Sequence, residues 1–477
     1  MIVSKVYSIA TILYLVSSLF SAVLVDSAKI ECIKGASSKD LNENKERFMI
    51  FLEPKKGSTS AASSDSEILK QHLNFYKDCW DIDSAPALEE SDGIATKSFS
   101  SNKLLHFSVG SLVGYFGSFN PQVLKEQIKT LPNIKIVEKV TKVKAFAAIQ
   151  KRASTVEKTS FYDLDRIDQR KRPLNGKYQY PSSAGSGVNV YVIDTGINKT
   201  KSEFGNRVRF AGVFCDGCPR FDDEGHGTEV ASVIGGIHFG VAKKVKLIAI
   251  KVLDSEGSGT FEGVISGMMF VLKEHLANKN KNTVINISLG GGFSSAVNKA
   301  VNDLTKAGIH VVVAAGNESQ NACFTSPASA PTAITVGATD KGDDSMADFS
   351  NFGPCVDIFA PGVEVPVLSF GRPSLDSGTS FSSPLTAGVV ALKISASGNL
   401  SPKKMAEAII SDSTKNIIKK IPVTPNRFLF FPQINSAKIK CPQIAASSIR
   451  DRLDPSKKTL PGSPSDKPIG HPANITT

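Results

Sequence analysis

From Gly187 onward the apolar residues gather in short, nearly unbroken runs: Val188 to Ile193, Leu247 to Leu253, Val284 to Leu289, Ile309 to Ala315 and Ala333 to Val336. Segments of helix length lie between them, at Gly227 to Ile237, Phe261 to Leu276 and Ser294 to Ala307. A strand buried on both faces reads as a continuous apolar run, and such strands alternating with helices predict a parallel sheet covered on both sides. The expected fold class is therefore α/β, with three layers in the order α/β/α. Chemistry in such sheets collects beyond the carboxyl ends of the strands. Asp194, Ser288 and Asn317 all stand at or just past such ends. Ser401 to Lys420 is expected to form closing helices, and Pro425 to Phe430 a last extended piece.

Residues 45 to about 150 follow another pattern. Arg47 to Leu52 reads as a strand and Ile68 to Trp80 has helical spacing. Leu105 to Phe119, with glycines at 110, 114 and 117, reads as a closely approaching strand pair. Val123 to Leu131 reads as a short helix, and Ile134 to Val143 alternates apolar residues with lysine. The order β-α-β-β-α-β predicts a small ferredoxin-like α+β domain.

At the start of the chain, Lys5 precedes the apolar run Val6 to Val25, with small residues at Ser27 and Ala28. That is the layout of a secretory signal; because the run is long enough to span a bilayer, an uncleaved anchor is the alternative. The polar linker Ala145 to Thr159 carries the dibasic pair Lys151-Arg152, and a small domain before a cleavable linker suggests a pro-segment. Beyond about residue 435 the chain is rich in Pro, Ser and Lys, predicts disorder and lacks the hydrophobic end of a lipid-anchor signal. The expected organisation is a signal over 1–27, a propeptide over 28–150, the main domain over 151–434 and a tail over 435–477.

Composition changes this picture little. The net charge of +11 comes from lysines that are spread out rather than clustered with aromatics, so no nucleic-acid partner is expected. The seven cysteines (32, 79, 215, 218, 323, 355 and 441) all follow the signal, where disulfides are permitted, and an odd count leaves one unpaired. Cys215-Asp216-Gly217-Cys218 has the spacing of half a zinc site. No second close Cys or His pair exists, which leaves a small loop disulfide or free thiols.

Candidate chemistry centres on Gly378-Thr379-Ser380-Phe381-Ser382-Ser383-Pro384, followed by the apolar run Leu385 to Leu392. A serine approached through small residues and followed by a helix-length segment is how a nucleophile is mounted at a helix N-terminus, with Pro384 expected in the first turn. An activated serine needs a base, and the base an orienting carboxylate. Of seven histidines, His226 stands between Gly225 and Gly227 at a predicted helix start, leaving room for a substrate beside it, whereas His238 and His310 sit in apolar stretches. With Asp194 after a buried strand, the order is Asp, His, Ser. The α/β-hydrolase order fails, because only His471 follows Ser380 and Ser382 stands where the nucleophile elbow has glycine. Gly257 to Gly263 mimics a dinucleotide fingerprint, but Glu262 occupies the third glycine position.

Asp194-Thr195-Gly196, His226-Gly227-Thr228 and Gly378-Thr379-Ser380 resemble the three signatures of the subtilisin-like serine proteases. Ser288-Leu289-Gly290-Gly291 and Ala314-Ala315-Gly316-Asn317 are similar to the fungal proteinase K and cerevisin branch, and Gly114-Tyr115-Phe116-Gly117 to its inhibitor pro-segment. The resemblance implies a secretory-pathway serine endopeptidase made as a zymogen, with Asp194, His226 and Ser380 as triad and Asn317 as oxyanion donor. It implies that an extended substrate pairs with the backbone of Glu256, Gly257, Ser258 and Gly259 and of Ser288, Leu289 and Gly290, beside Ala315 and Gly316. The partners implied are protein substrates and the chain's own propeptide as inhibitor, with no membrane contact after signal removal and a monomeric enzyme. A disulfide between Cys323 and Cys355 follows from the resemblance; Cys32 with Cys79 would then leave Cys441 odd. No cofactor is required for the chemistry. A structural calcium at Pro331, Ala333 and Asp357 is implied by similarity, with Asp357 as a turn cap the alternative. Free secretion, wall retention and vacuolar delivery stay open as destinations.

The chain departs from the family pattern at Glu229, where a second histidine is usual, at Ser232, and at Leu385-Thr386. Glu229 sets a carboxylate near the base. A catalytically weak or inactive subtilase-fold protein of the wall or surface is the alternative that these departures raise. Among the sequons, those at Asn198 and Asn474 are the glycan candidates, the one at Asn286 lies on a buried strand, and the one at Asn317 competes with its oxyanion role.

Overall fold

The computed structural model describes residues 45–53, 68–73, 89–90, 104–126, 128–131, 133–146, 161–432 and 439–440. The signal, Lys151-Arg152, the pairing of Cys32 with Cys79, Cys441 and nearly all of the tail lie outside them.

The small domain contributes β1 (Glu46–Leu52), β2 (Leu105–Val109), β3 (Leu112–Phe119), α1 (Pro121–Glu126) and β4 (Ile134–Lys139). The four strands run in the order β2-β3-β1-β4 with antiparallel neighbours, the ferredoxin-like arrangement, and Glu89–Glu90 adds a short parallel strand beside β2. The alternating Ile134 to Val143 stretch is two strands rather than one. After β4 the chain turns away, and β5 (Lys142–Ala145) joins a different sheet.

The main domain holds a nine-stranded sheet. Its elements are β6 (Asn189–Asp194), β7 (Val208–Val213), α2 (His226–Gly235), β8 (Lys246–Lys251), β9 (Ser258–Thr260), α3 (Phe261–Ala277) and β10 (Thr283–Ile287). There follow β11 (Leu289–Gly292), α4 (Ser295–Lys306), β12 (His310–Ala314), β13 (Ile334–Thr339), β14 (Ile358–Pro361), β15 (Val365–Ser369) and β16 (Arg372–Asp376). The domain closes with α5 (Thr379–Ser397), α6 (Pro402–Asp412) and β17 (Arg427–Phe428). The sheet runs β17-β14-β13-β12-β10-β6-β8-β7 in parallel, with Thr414–Lys415 antiparallel at the edge.

Strand alternation assigns the two faces. Val190 and Val192 pack with α2 and α5, while Tyr191 and Ile193 pack with α3 and α4. These are the three layers expected. Thr260 caps α3 and Ser294 caps α4, each through a side-chain oxygen accepting an orphan N–H.

The structure amends several expectations. The Ser401 to Lys420 stretch forms one helix, ending at Asp412, rather than several. The Val284 to Leu289 run breaks after Ile287, and Leu289–Gly292 leaves the central sheet to pair with β5. Edge strand β7, strand β14 and the β15–β16 hairpin went unread; β7 is only half buried, so its apolar run is broken by Arg209. Ile439–Lys440, inside the stretch expected to be disordered, pairs with Tyr180–Pro181. Pro384 lies in the second turn of α5, not the first. There it deprives the Ser380 carbonyl of its usual i+4 donor, and the Ser288 hydroxyl donates to that carbonyl instead at 3.0 Å.

The small domain is docked rather than tethered. Met49, Phe51, Phe107 and Phe116 from one face of its sheet share a buried core with Phe261, Met268 and Leu272 of α3 and with Ala296 and Ala300 of α4. Arg47 grips the buried Glu262 bidentately, at 2.9 and 2.6 Å. Glu138 accepts from the Ser295 amide and hydroxyl at the N-terminus of α4. Cys323 is bonded to Cys355, as the resemblance implied, and Cys215 to Cys218. No helix among the described residues is long and apolar enough to cross a membrane.

Candidate active site

Three elements deliver the candidate residues to one end of the parallel sheet: β6 ends on Asp194, α2 begins at His226 and α5 carries Ser380 as its second residue. His226 Nδ1 donates to Asp194 Oδ1 at 2.8 Å, both side chains being buried. The flanking glycines serve the backbone rather than the substrate. Gly225 sits at φ +113°, and a Cβ on Gly227 would lie 2.2 Å from the Gly196 carbonyl, so α2 can start against the Asp194 loop only with glycine there.

Two residues without any motif fix that loop. Asp222 accepts from the Thr195 hydroxyl, the Gly225 and Thr228 amides and the Thr228 hydroxyl. Lys251 is fully buried and donates from Nζ to the Thr195 carbonyl at 2.7 Å and to Asp223 at 2.6 Å. Sequence offered one signal for Lys251, a lysine at the end of an otherwise apolar strand; a buried ammonium needs such partners.

Ser380 Oγ donates to the Ser288 carbonyl at 3.0 Å, and His226 Nε2, buried, has no hydrogen-bond partner among the described residues. Asn317 is held with its orientation fixed. Its Oδ1 accepts from the Thr379 amide (3.0 Å) and hydroxyl (2.8 Å), which leaves the Nδ2 amide pointing across the cleft. There Nδ2 donates to the Phe146 carbonyl at 2.6 Å.

Phe146 follows β5, and β5 is a peptide lying in the cleft. Lys144 and Val143 pair with Ser258 and Gly259 on one side, while Ala145 and Lys144 pair with Leu289 and Gly290 on the other. The Ala145 amide donates to Gly257 O at 2.9 Å and the Phe146 amide to Ser288 O at 3.2 Å. The Phe146 ring is buried against Gly290, where a Cβ would come within 2.5 Å of it. Gly257, Ser258, Gly259, Ser288, Leu289 and Gly290 therefore contact the strand. Ala315 and Gly316 lie behind it; Ala315 O accepts from Asn351, and Gly316 N donates to Thr379.

The electrostatics favour an imidazolium in this state. Burial pulls His226 down, but the Asp194 charge and hydrogen bond outweigh it, Glu229 and Glu224 add to them, and the pKa rises to about 9. Glu229 is itself pushed up to about 8, first by burial and then by Asp376, with a hydrogen bond from Ser369 and the His226 charge opposing. Asp357, one candidate calcium ligand, accepts the Thr335 amide at 2.9 Å while its own amide donates to Thr335 O. One carboxylate so engaged, with Arg427 beside it, does not fit a hard dication that takes six to eight oxygens, and because its acceptor bond reaches the amide of Thr335 on β13 it is not a turn cap either. Among the described residues no group of three His, Cys, Asp or Glu is placed to hold a metal. At the Asn198 sequon the side-chain amide donates to the Asp222 carbonyl, so the nitrogen that would carry a glycan is engaged.

The model of the subtilase family matches residues 185–428. A subtilisin-like serine protease of Penicillium rubens, Pen ch 18, is 40% identical over 339 residues, covering 66% of this chain and 67% of that protein. An extracellular serine proteinase of a Thermus species is 41% identical over 306 residues, covering 63% and 71%. Subtilisin-like protease 3 of Saccharomyces cerevisiae is 38% identical over 343 residues, covering 67% and 70%. Among solved structures, a cold-adapted subtilisin-like serine proteinase aligns with TM-score 0.54 at 40% identity, over 58% of this chain and 99% of that one.

Proposed function

Because the chain belongs to the subtilase family and is a serine-type endopeptidase, we propose that it cleaves peptide bonds through Ser380, His226 and Asp194, and that it is made as a zymogen whose own first substrate is the Phe146–Ala147 bond. The observation that carries this is β5 with Phe146: a strand paired on both edges, its last carbonyl on the Asn317 amide beside Ser380. β-Strand addition is how an extended peptide gains affinity from main-chain bonds while alternate side chains give specificity.

In the reaction, rotation of Ser380 about χ1 turns Oγ from the Ser288 carbonyl toward His226 Nε2. Oγ attacks the carbonyl carbon as Nε2 takes its proton, and the Asn317 amide stabilises the oxyanion. Collapse expels the amine, which leaves with the proton from His226, and an acyl ester remains on Ser380. Water, deprotonated by His226, hydrolyses that ester. Asp194 holds the imidazole with Nε2 free to act. Gly290 beside the Phe146 ring supports preference for a large apolar residue before the cleaved bond.

Entry into the secretory pathway through residues 1–27, removal of the propeptide and monomeric action outside the cell or in its wall, with the vacuole as alternative, complete the proposal. Two disulfides and a relative named as extracellular support that route. Intact-mass and N-terminal analysis of the expressed protein tests the zymogen reading. A mature chain beginning at Ala147 is expected; a first cut at Lys151-Arg152 would contradict it.

The base must be neutral to accept a proton, so the Asp194, Glu229 and Glu224 charges that stabilise the imidazolium set a rate that rises with pH toward about 9. Glu229→Gln removes one of these charges and lowers the pKa of His226. Because Glu229 is itself largely protonated below about 8, the acid limb of kcat/KM should move to lower pH chiefly between about pH 8 and 9, by up to about threefold in activity for a half-unit move, with little change at pH 7. A limb unmoved in Glu229→Gln would show that Glu229 exerts no field on the base.

A further inference from the structure

Beside the reaction centre lies a cavity of about 1210 Å³, lined in part by Phe146, Gly290 and Asn317. The main domain lines the remainder with Glu318, Asp340, Asp343 and Asp348 against one cation, Lys420. Acidic walls alone identify no ligand, but here a peptide is already seated at the site. Side chains alternate along a strand, so Lys142, Lys144 and Phe146 share one face of β5 while Val143 and Ala145 take the other. Val143 is buried, whereas Lys142 and Lys144 are exposed and line the same cavity as the four acids.

The acids are fixed to different degrees. Glu318 accepts from Asn351, Asp340 caps the Gly342 amide, and Asp343 is engaged by Ser345 and Lys419. Among the described residues no hydrogen bond or ion pair engages the Asp348 carboxylate, nor the ammonium groups of Lys142 and Lys144. The cleft thus sets unpaired positive charge on the bound strand across a cavity from unpaired negative charge on the enzyme.

We propose that this wall, with Asp348 its adaptable member, selects peptides carrying Lys or Arg two and four residues before the residue whose bond is cut. The inference rests on the proteolytic reading and adds to it a charge requirement on the face of the substrate that also presents the large apolar residue. Each contact is solvated and individually modest, so the preference comes from several acids acting together and weakens with salt.

The test uses the processed enzyme and two fluorogenic peptides, Lys-Val-Lys-Ala-Phe and Glu-Val-Glu-Ala-Phe, each with a reporter after Phe. The lysine peptide should be cleaved with about tenfold higher kcat/KM at low salt, the ratio falling toward one in 1 M salt. Asp348→Asn should reduce that ratio about threefold, by slowing the lysine peptide and speeding the glutamate peptide. Cleavage of both peptides within twofold of each other overturns this inference and leaves the proteolytic reading intact. A ratio unchanged in Asp348→Asn removes Asp348 from the wall and overturns its assigned role. Cleavage of neither peptide, nor of a neutral Ala-Val-Ala-Ala-Phe control, overturns the proteolytic reading and this inference with it.

Discussion

Ser380→Ala is expected to lower kcat by about 10⁶-fold, the size of loss seen for the nucleophile in subtilisin itself, a member of the same family. The substitution removes the only atom assigned to bond with the scissile carbonyl, while the surroundings lose little. The Ser288 carbonyl gives up the Ser380 hydroxyl but keeps the Phe146 amide, and the Ser380 carbonyl keeps the Ser288 hydroxyl. The variant should therefore fold, retain β5 in the cleft and accumulate with the propeptide uncut. Fluorogenic peptide hydrolysis and intact mass check both outcomes. Hydrolysis in Ser380→Ala within tenfold of the parent would mean that another group is the nucleophile.

Asn317→Ala should cost about 10²–10³ in kcat, or about 3–4 kcal/mol, with KM little changed, a magnitude that again comes from the equivalent donor in subtilisin. The amide would act on charge that develops only in the transition state, which is why the loss falls on kcat. Alanine also strips the buried Thr379 amide and hydroxyl of their acceptor, a stability penalty of about 1–3 kcal/mol that thermal unfolding would report. Asn317→Asp separates the two effects. It keeps an oxygen for Thr379 but sets a carboxylate where the oxyanion must form, so it should be at least as inactive while losing less stability. An active Asn317→Asp enzyme would remove Asn317 from the oxyanion site.

What sequence made legible were the elements whose burial is uniform and the residues whose chemistry is scarce. The central strands read as apolar runs because both faces are covered. His226 stood out because few histidines compete with it and those elsewhere lie in apolar stretches or outside a motif. The half-buried edge strand β7 and the β15–β16 hairpin, which carry mixed faces, were not legible. Nor were Asp222 and Lys251: their roles exist only once β6, β8 and the His226 loop converge, and no local pattern marks a carboxylate that will collect several donors.

The glycines beside His226 were found but misattributed. Gly227 allows one backbone to approach another, and Gly225 adopts a positive φ against the Phe370 ring, rather than either making room for substrate. The seat of Phe146 was hidden for a related reason, since the lysine-alternating stretch gave no sign that its two halves enter different sheets. The question that Glu229 raised has a physical answer in the structure: its carboxyl is buried near Asp376, and where ionised it favours the imidazolium.

The claim that matters most is that Ser380 is an activated nucleophile, and covalent labelling by a serine-directed fluorophosphonate tests it most directly. The processed protein, labelled near pH 9 where the base is increasingly neutral, should yield one adduct that peptide mass analysis maps to Ser380. Properly folded, processed protein that acquires no adduct at Ser380 would contradict the account.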